Sequence, residues 1–285
     1  MKWKGRQTSS NVEDRRGMSR GTKSVGGIGV TGIIIAIVYT LITGQDPSVI
    51  LQQTSGVRQQ SQQGYNSAAA GENEEIAQFS KVVLKDTEDV WAKLFKEQLG
   101  KTYIPPKMVV FNGYTTGACG IAGKSTGPYY CPADRKVYMD LNFLRDLGRN
   151  YGASGDFAMA YVIAHEVGHH IQNLLGIMEK VQRQRQYLSK KEYNKLSVKL
   201  ELQADFFAGM WAHHAQKMKH ILEKGDIEEA LGAASAVGDD RLQKRAQGYV
   251  VPDAFTHGTS KQRTEWFMRG FKYGDFNYSN TFEEL

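Results

Sequence analysis

HEVGHHIQ, residues 165–172, places three histidines and a glutamate within six positions. The surrounding stretch, FAMAYVIAHEVGHHIQNLLG (157–176), is mostly apolar and reads as a helix that Ser154 or Asp156 can cap and that stops near Gly176. Helical residues four apart share a face, so His165 and His169 point the same way. Glu166 stands one position on, where a carboxylate reaches a water on a metal rather than the metal itself, as HExxH zinc hydrolases require. Gly168 costs a helix about 1 kcal/mol relative to Ala; close approach of a strand or a substrate would account for it. His170 lies about 100° further round and is expected to pack or cap.

Two imidazoles need a third protein ligand before they make a catalytic metal site with one position left for water. Residues 189–217, SKKEYNKLSVKLELQADFFAGMWAHHAQK, open with a capping box, Ser189 with Glu192, and read as one long helix. Within it Glu201 and Asp205 are four apart on one face, among Leu200, Leu202, Ala204, Phe206, Phe207 and Ala208. Carboxylates in such company need a partner or are costly to bury. Glu201 can bind a metal, and Asp205 can accept the free ring N–H of a ligand histidine. Two carboxylates on the polar edge of an amphipathic helix are the alternative. His213 and His214 lie two to three turns beyond Asp205 and read as structural. His257, in FTHGTSKQRTEW (255–266), precedes a helix capped by Thr259 or Ser260. A histidine there can steady an oxyanion or simply brace the cleft wall. Arg263 can pair with Asp205 or another buried carboxylate.

Elsewhere, Ile76, Phe79, Val83, Val90, Trp91, Leu94 and Phe95 keep a 3.6-residue rhythm over 75–99, with Gly100 as the stop. Strands are expected at Met108–Phe111 and at KVYMDL, 136–141. Cys119 and Cys131 bracket a Gly-rich loop, and in an oxidising compartment a disulfide between them is expected. GIAGKS (120–125) lacks the first glycine of a phosphate loop, since Ala118 stands in its place.

Formal net charge is +6, but it is local: residues 1–45 hold seven Lys or Arg against Glu13 and Asp14, while the remaining 240 hold 29 basic and 28 acidic side chains. A nucleic-acid face on the main domain is therefore not expected. Residues 25–42, VGGIGVTGIIIAIVYTLI, are uncharged. As a helix they would run about 27 Å, near the hydrocarbon thickness of a bilayer. The basic flank favours a cytoplasmic N-terminus with the remainder exported. A cleaved signal peptide is the rival, and the glycines at 27, 29 and 32 match a dinucleotide fingerprint with no strand before them. The expected organisation is a basic cytoplasmic tail (1–24), a transmembrane helix (25–42), a polar Gln-rich linker (43–73) and a metal-dependent domain (74–285). The chain would then be a single-pass inner-membrane protein with its domain periplasmic or extracellular.

HEVGHHIQ, ELQAD and HGTSKQRTEWFMRGF together resemble the bacterial family of neutral zinc metallopeptidases with an N-terminal membrane anchor. GPYYCPADRKVYMDLNFL and the opening MKWKGRQTSSNVEDRRG are similar to it too, so the resemblance covers almost the whole chain. It implies an α+β fold, a mainly helical zincin-like domain with a small β-sheet behind one transmembrane helix. By the resemblance, one Zn²⁺ per chain is bound by His165, His169 and Glu201, with Asp205 as companion and Glu166 as general base. The strand at Tyr138–Leu141 resembles the edge strand that holds an extended substrate in such enzymes, so the implied partners are a peptide or protein substrate and, through the anchor, a lipid bilayer. A catalytically silent, membrane-tethered zinc-binding scaffold or chaperone is the rival reading; retention of Glu166 speaks against it.

Overall fold

The computed structural model describes residues 1–17, 67–123 and 126–284. In chain order the elements are β1 (Val12–Asp14), α1 (Ser67–Leu99), β2 (Lys107–Phe111), β3 (Tyr114–Gly117), β4 (Gly120–Gly123), β5 (Tyr129–Cys131) and β6 (Lys136–Asp140). There follow α2 (Leu141–Tyr151), α3 (Asp156–Leu174), α4 (Ile177–Gln184), α5 (Lys190–Lys219), α6 (Asp226–Ala236), α7 (Asp239–Gln247), α8 (Ser260–Tyr273) and α9 (Thr281–Glu284). The domain is mainly helical with a small mixed sheet, as expected. Residues 1–17 and 72–285 make one compact unit, and α1 begins at Ser67, ahead of the expected boundary at 74.

The sheet has the order β1-β2-β6-β5. β1, β2 and β6 run parallel, with Met108 opposite Val137 and Val110 opposite Met139. Both faces of β2 and β6 are covered, which is why their sequences are near-continuous apolar runs. β5 pairs antiparallel on β6 and forms an edge. β6 is therefore an interior strand, and the edge expected at Tyr138–Leu141 falls to β5 instead. Cys119, in the turn of the β3–β4 hairpin, is bonded to Cys131 of β5, so the hairpin is tied to that edge.

Aromatic side chains join the helices: Trp91 of α1 meets Phe207 of α5 edge-on at 5.7 Å, and Phe157 of α3 stacks on Trp211 of α5 at 5.9 Å. α5 and α8 cross with backbones almost touching. A Cβ on Gly209 would lie 2.0 Å from the Phe267 carbonyl oxygen, and one on Gly270 would lie 1.9 Å from that of Phe206. Only glycine fits at either position. The capping box of α5 forms as expected, and Thr259 with Gln262 makes another at α8. The start of α3 differs. Gly155 is its N-cap and neither Ser154 nor Asp156 caps it; the Phe157 N–H instead donates to Glu229 of α6 at 3.0 Å.

The N-terminal segment corrects the expected topology. β1 adds to β2, with Glu13 opposite Val109. The Lys2 N–H donates to the Ile221 carbonyl at 2.8 Å, and the Ser9 N–H to that of Lys81 at 2.9 Å. Arg6 pairs with buried Asp86, Lys4 with Glu75, and Arg16 with Asp14 and Glu74. These basic side chains are neutralised by carboxylates of the domain and its own strand, and do not form a free flank for a membrane helix. A single crossing between residues 17 and 72 would put β1 and β2 on opposite sides of a bilayer, yet they are hydrogen-bonded neighbours. This pairing contradicts the single-pass inner-membrane location with a cytoplasmic N-terminus and a periplasmic or extracellular domain, and with it the bilayer as partner. The stretch 25–42 and linker residues 43–66 lie outside the described residues, among which no helix is long and apolar enough to cross a membrane.

Candidate metal centre

α3 and α5 build the site where they cross. Gly168 lets them close: a Cβ there would sit 2.9 Å from the Ala204 carbonyl oxygen. The neighbour is thus a helix, not the strand or substrate that its sequence context suggested. Ala204 lies between Glu201 and Asp205, so this contact carries both carboxylates to the HExxH face. His165, His169 and Glu201 each offer a ligand atom, and the three atoms lie within 4.8 Å of one another. His165 Nε2 is 3.2 Å from Glu201 Oε2, and His169 Nε2 is 3.5 Å from Oε1.

The outer ring nitrogens are already committed. His165 Nδ1–H donates to Asp205 Oδ1 at 2.8 Å, and His169 Nδ1–H donates to Gln172 Oε1 at 2.9 Å. Both Nε2 atoms are turned toward Glu201, the orientation in which a metal ion shared by the three side chains would be held. Gln172 is fixed in turn by donating to the Leu200 carbonyl at 2.6 Å. Asp205, wholly buried, accepts two bonds from Arg263 (2.8 and 3.0 Å) and one from the Tyr161 hydroxyl.

Charge at the site favours a cation. Burial disfavours ionised Glu201, but the facing histidines, His169 first, overcome it and hold its pKa well below the usual range. Burial likewise opposes a proton on His165, yet Asp205 and Glu201 push its pKa up to about 10. A pocket that would draw a proton between two imidazoles and a carboxylate suits a divalent metal, and two nitrogens with one carboxylate oxygen form a donor set common for zinc. A second group, Asp156, Asp226 and Glu229, also brings ligand oxygens within 4.8 Å of one another. Its cation is supplied by the chain, because the Met1 amine contacts Asp156 and Asp226.

The first group opens on a cleft of about 540 Å³, whose walls include Glu166, Tyr130 of β5 and His257. Glu166 is 8% exposed, and among the described residues none hydrogen-bonds to its carboxylate. His257 has a half-exposed side chain, its Nδ1 3.2 Å from Asp239 Oδ1. Asp239 Oδ2 also accepts the N–H groups of Thr256, His257 and Gly258, fixing the loop. That hydrogen bond raises the His257 pKa against burial, helped by Glu201.

Arg263 meets Asp205, one of the partners its sequence context allows. His170 is fully buried, its Nε2–H donating to the Ile104 carbonyl at 2.7 Å and its Nδ1 accepting from the Tyr130 hydroxyl at 3.0 Å. Burial holds it neutral, with a pKa lowered to about 4. His213 and His214 bond to the carbonyls of Phe271 and Gly274, away from the metal group. Gln172, Asp239 and Tyr161 went unnoticed in the sequence. Gln172 had a signal, an amide three residues after His169 on an apolar helix. Asp239 had none, since 18 residues separate it from His257.

The chain matches the family described as "Putative neutral zinc metallopeptidase" over residues 1–282. It is 50% identical to the uncharacterized protein YpfJ of Escherichia coli strain K12 across 287 aligned residues, covering 99% of each chain. It is 42% identical to the uncharacterized protein Rv2575 of Mycobacterium tuberculosis strain H37Rv over 190 residues, 63% of each chain. No solved structure matches it. With the family's pattern spanning nearly the whole chain, this protein belongs to the putative neutral zinc metallopeptidase family.

Proposed function

We propose that the protein is a zinc-dependent peptidase, one Zn²⁺ per chain held by His165, His169 and Glu201. The observation that carries the reading is Glu166. Its carboxylate lines the cleft with no hydrogen-bond partner among the described residues, which leaves it open to a water there. Beside a metal group and a cleft, it has the position of a general base.

Zinc, when bound, acidifies a water and polarises a carbonyl. The chain's residues do the rest. Glu166 takes the proton of the attacking water and passes it to the leaving amine. His257, held by Asp239 and favoured in its protonated form, faces the cleft and donates to the developing oxyanion. Asp205 and Gln172 keep the two ligand histidines in the required tautomer. The edge of β5 lines the same cleft and can add an extended peptide as a further strand.

The test joins zinc content with cleavage of peptides by the full chain. Wild-type protein should hold about one zinc and cleave; Glu166→Gln should hold zinc and lose about 10²–10⁴-fold in rate. A scaffold or chaperone would keep its cellular role with Gln at 166. Full complementation of a deletion phenotype by that variant would reject the peptidase reading.

A further inference from the structure

Resting on the peptidase reading, we infer that the cleft selects an internal, extended segment of polypeptide with a bulky apolar or aromatic side chain beside the bond to be cut. With the metal group, Glu166 and His257 set aside, the walls are largely apolar. Tyr129 comes from β5, Phe143 and Tyr151 from α2, Val162 from α3, Met178 from α4 and Leu242 from α7. Five elements thus turn apolar groups toward one space. Each of these six residues is only partly buried, whereas residues just behind them, such as Leu144 and Ile163, are 2% and 0% exposed. Apolar surface left facing a cleft is stabilised when a ligand's apolar side chain covers it.

Val162 ties this surface to the chemistry. It lies four residues before Glu166 on α3, hence one turn away on the same face, so a side chain packed on Val162 sits next to the proposed base.

Charge narrows the choice further. Arg263 is the only Lys or Arg among the described wall residues, and Asp205 and Tyr161 occupy it. His257 is the other cationic group of the described wall; Asp239 holds it, and its proposed place is at the scissile carbonyl rather than at a chain end. The anions of the wall are Glu166 and Glu201, the first engaged as base and the second facing the two histidines. A substrate is therefore held by its backbone along β5 and by an apolar side chain, not by either chain end.

The experiment uses zinc-loaded full-length Glu166→Gln and end-blocked octapeptides of Ser and Gly with one central residue varied among Phe, Leu, Gly, Asp and Lys. Calorimetry should give Kd values about tenfold or more tighter for Phe and Leu, the scale of an apolar side chain entering a fitted pocket. Unblocking either end should not tighten binding. Val162→Thr and, separately, Met178→Gln should each weaken the preference, with zinc content retained and the folded state confirmed by thermal unfolding. Equal binding across the series, preference for a charged residue, tighter binding only with a free end, or a preference indifferent to both substitutions would overturn the inference. Apolar preference in binding with no cleavage by wild-type protein would keep this inference and reject the peptidase reading. Cleavage without side-chain preference would do the reverse.

Discussion

The first turn and the middle of α3 each carry a cluster of ligand-type side chains, and the clusters differ in what completes them. At the first turn, Asp156 meets Asp226 and Glu229 of α6, and the Met1 ammonium lies against the first two. Three turns on, His165 and His169 meet Glu201 of α5 and face a cleft. The first cluster is all hard oxygen and holds a cation from its own chain. The second mixes imidazole with carboxylate, has its outer nitrogens held, and turns its inner nitrogens on Glu201. Proximity of acidic groups is thus a poor guide to a metal. Donor type and the commitments of the second nitrogen distinguish a site from a structural ion pair.

The contrast breaks most plainly through the ligands. His165→Ala, His169→Ala or Glu201→Ala should each bring zinc from about one per chain toward none, read by metal analysis, with activity lost in parallel. Asp226→Asn should leave zinc untouched. Retained zinc in Glu201→Ala would move the third ligand elsewhere.

Glu166→Gln follows, with zinc and Tm preserved and a rate loss of about 10²–10⁴-fold in a peptide assay. On the other side of the comparison, Asp226→Asn removes one partner of a buried ammonium. Asp156 and Glu223 still face the ammonium, so unfolding in urea should show a loss of about 1.5–3 kcal/mol.

Asp205→Asn is expected to be milder than loss of a ligand. It still accepts a hydrogen bond but loses its charge against Arg263 and His165, and zinc affinity should fall about 10–100-fold in a chelator competition. Smallest is the effect of Asp239→Asn on His257. The hydrogen bond and charge of Asp239 raise the His257 pKa above its ordinary value. The associated stabilisation is fully present below an unfolded pKa of about 6.5. It fades as pH rises through the raised folded value. In Asp239→Asn, NMR titration should return His257 toward that ordinary value, and the alkaline limb of the activity profile should move down with it. An unmoved titration would detach His257 from Asp239.

The core of the site was legible because it depends on local periodicity. Four-residue spacing on a helix brings His165 to His169 and Glu201 to Asp205 whatever else the chain does. The long α5, its capping box and the strands β2 and β6 were visible for the same reason: apolar rhythm and cap chemistry act within a few residues. The resemblance carried by several separated motifs added the pairing of the two helices.

Charge and hydropathy counted along the chain could not say where the N-terminal lysines and arginines spend their charge. Arg6 reaches Asp86 and Arg16 reaches Glu74, so a basic flank became part of the fold and the single-pass reading fell. Asp239 under His257, Tyr130 against His170 and Met1 against Asp226 likewise join residues far apart in sequence. From the sequence alone come α1, α3, α5 and α8, the faces of α3 and α5, and the side chains of the candidate metal group. Which carboxylate meets which cation, which strand is the edge and which walls line the cleft were settled only by tertiary packing. Those pairings span tens to hundreds of residues, and no local periodicity encodes them.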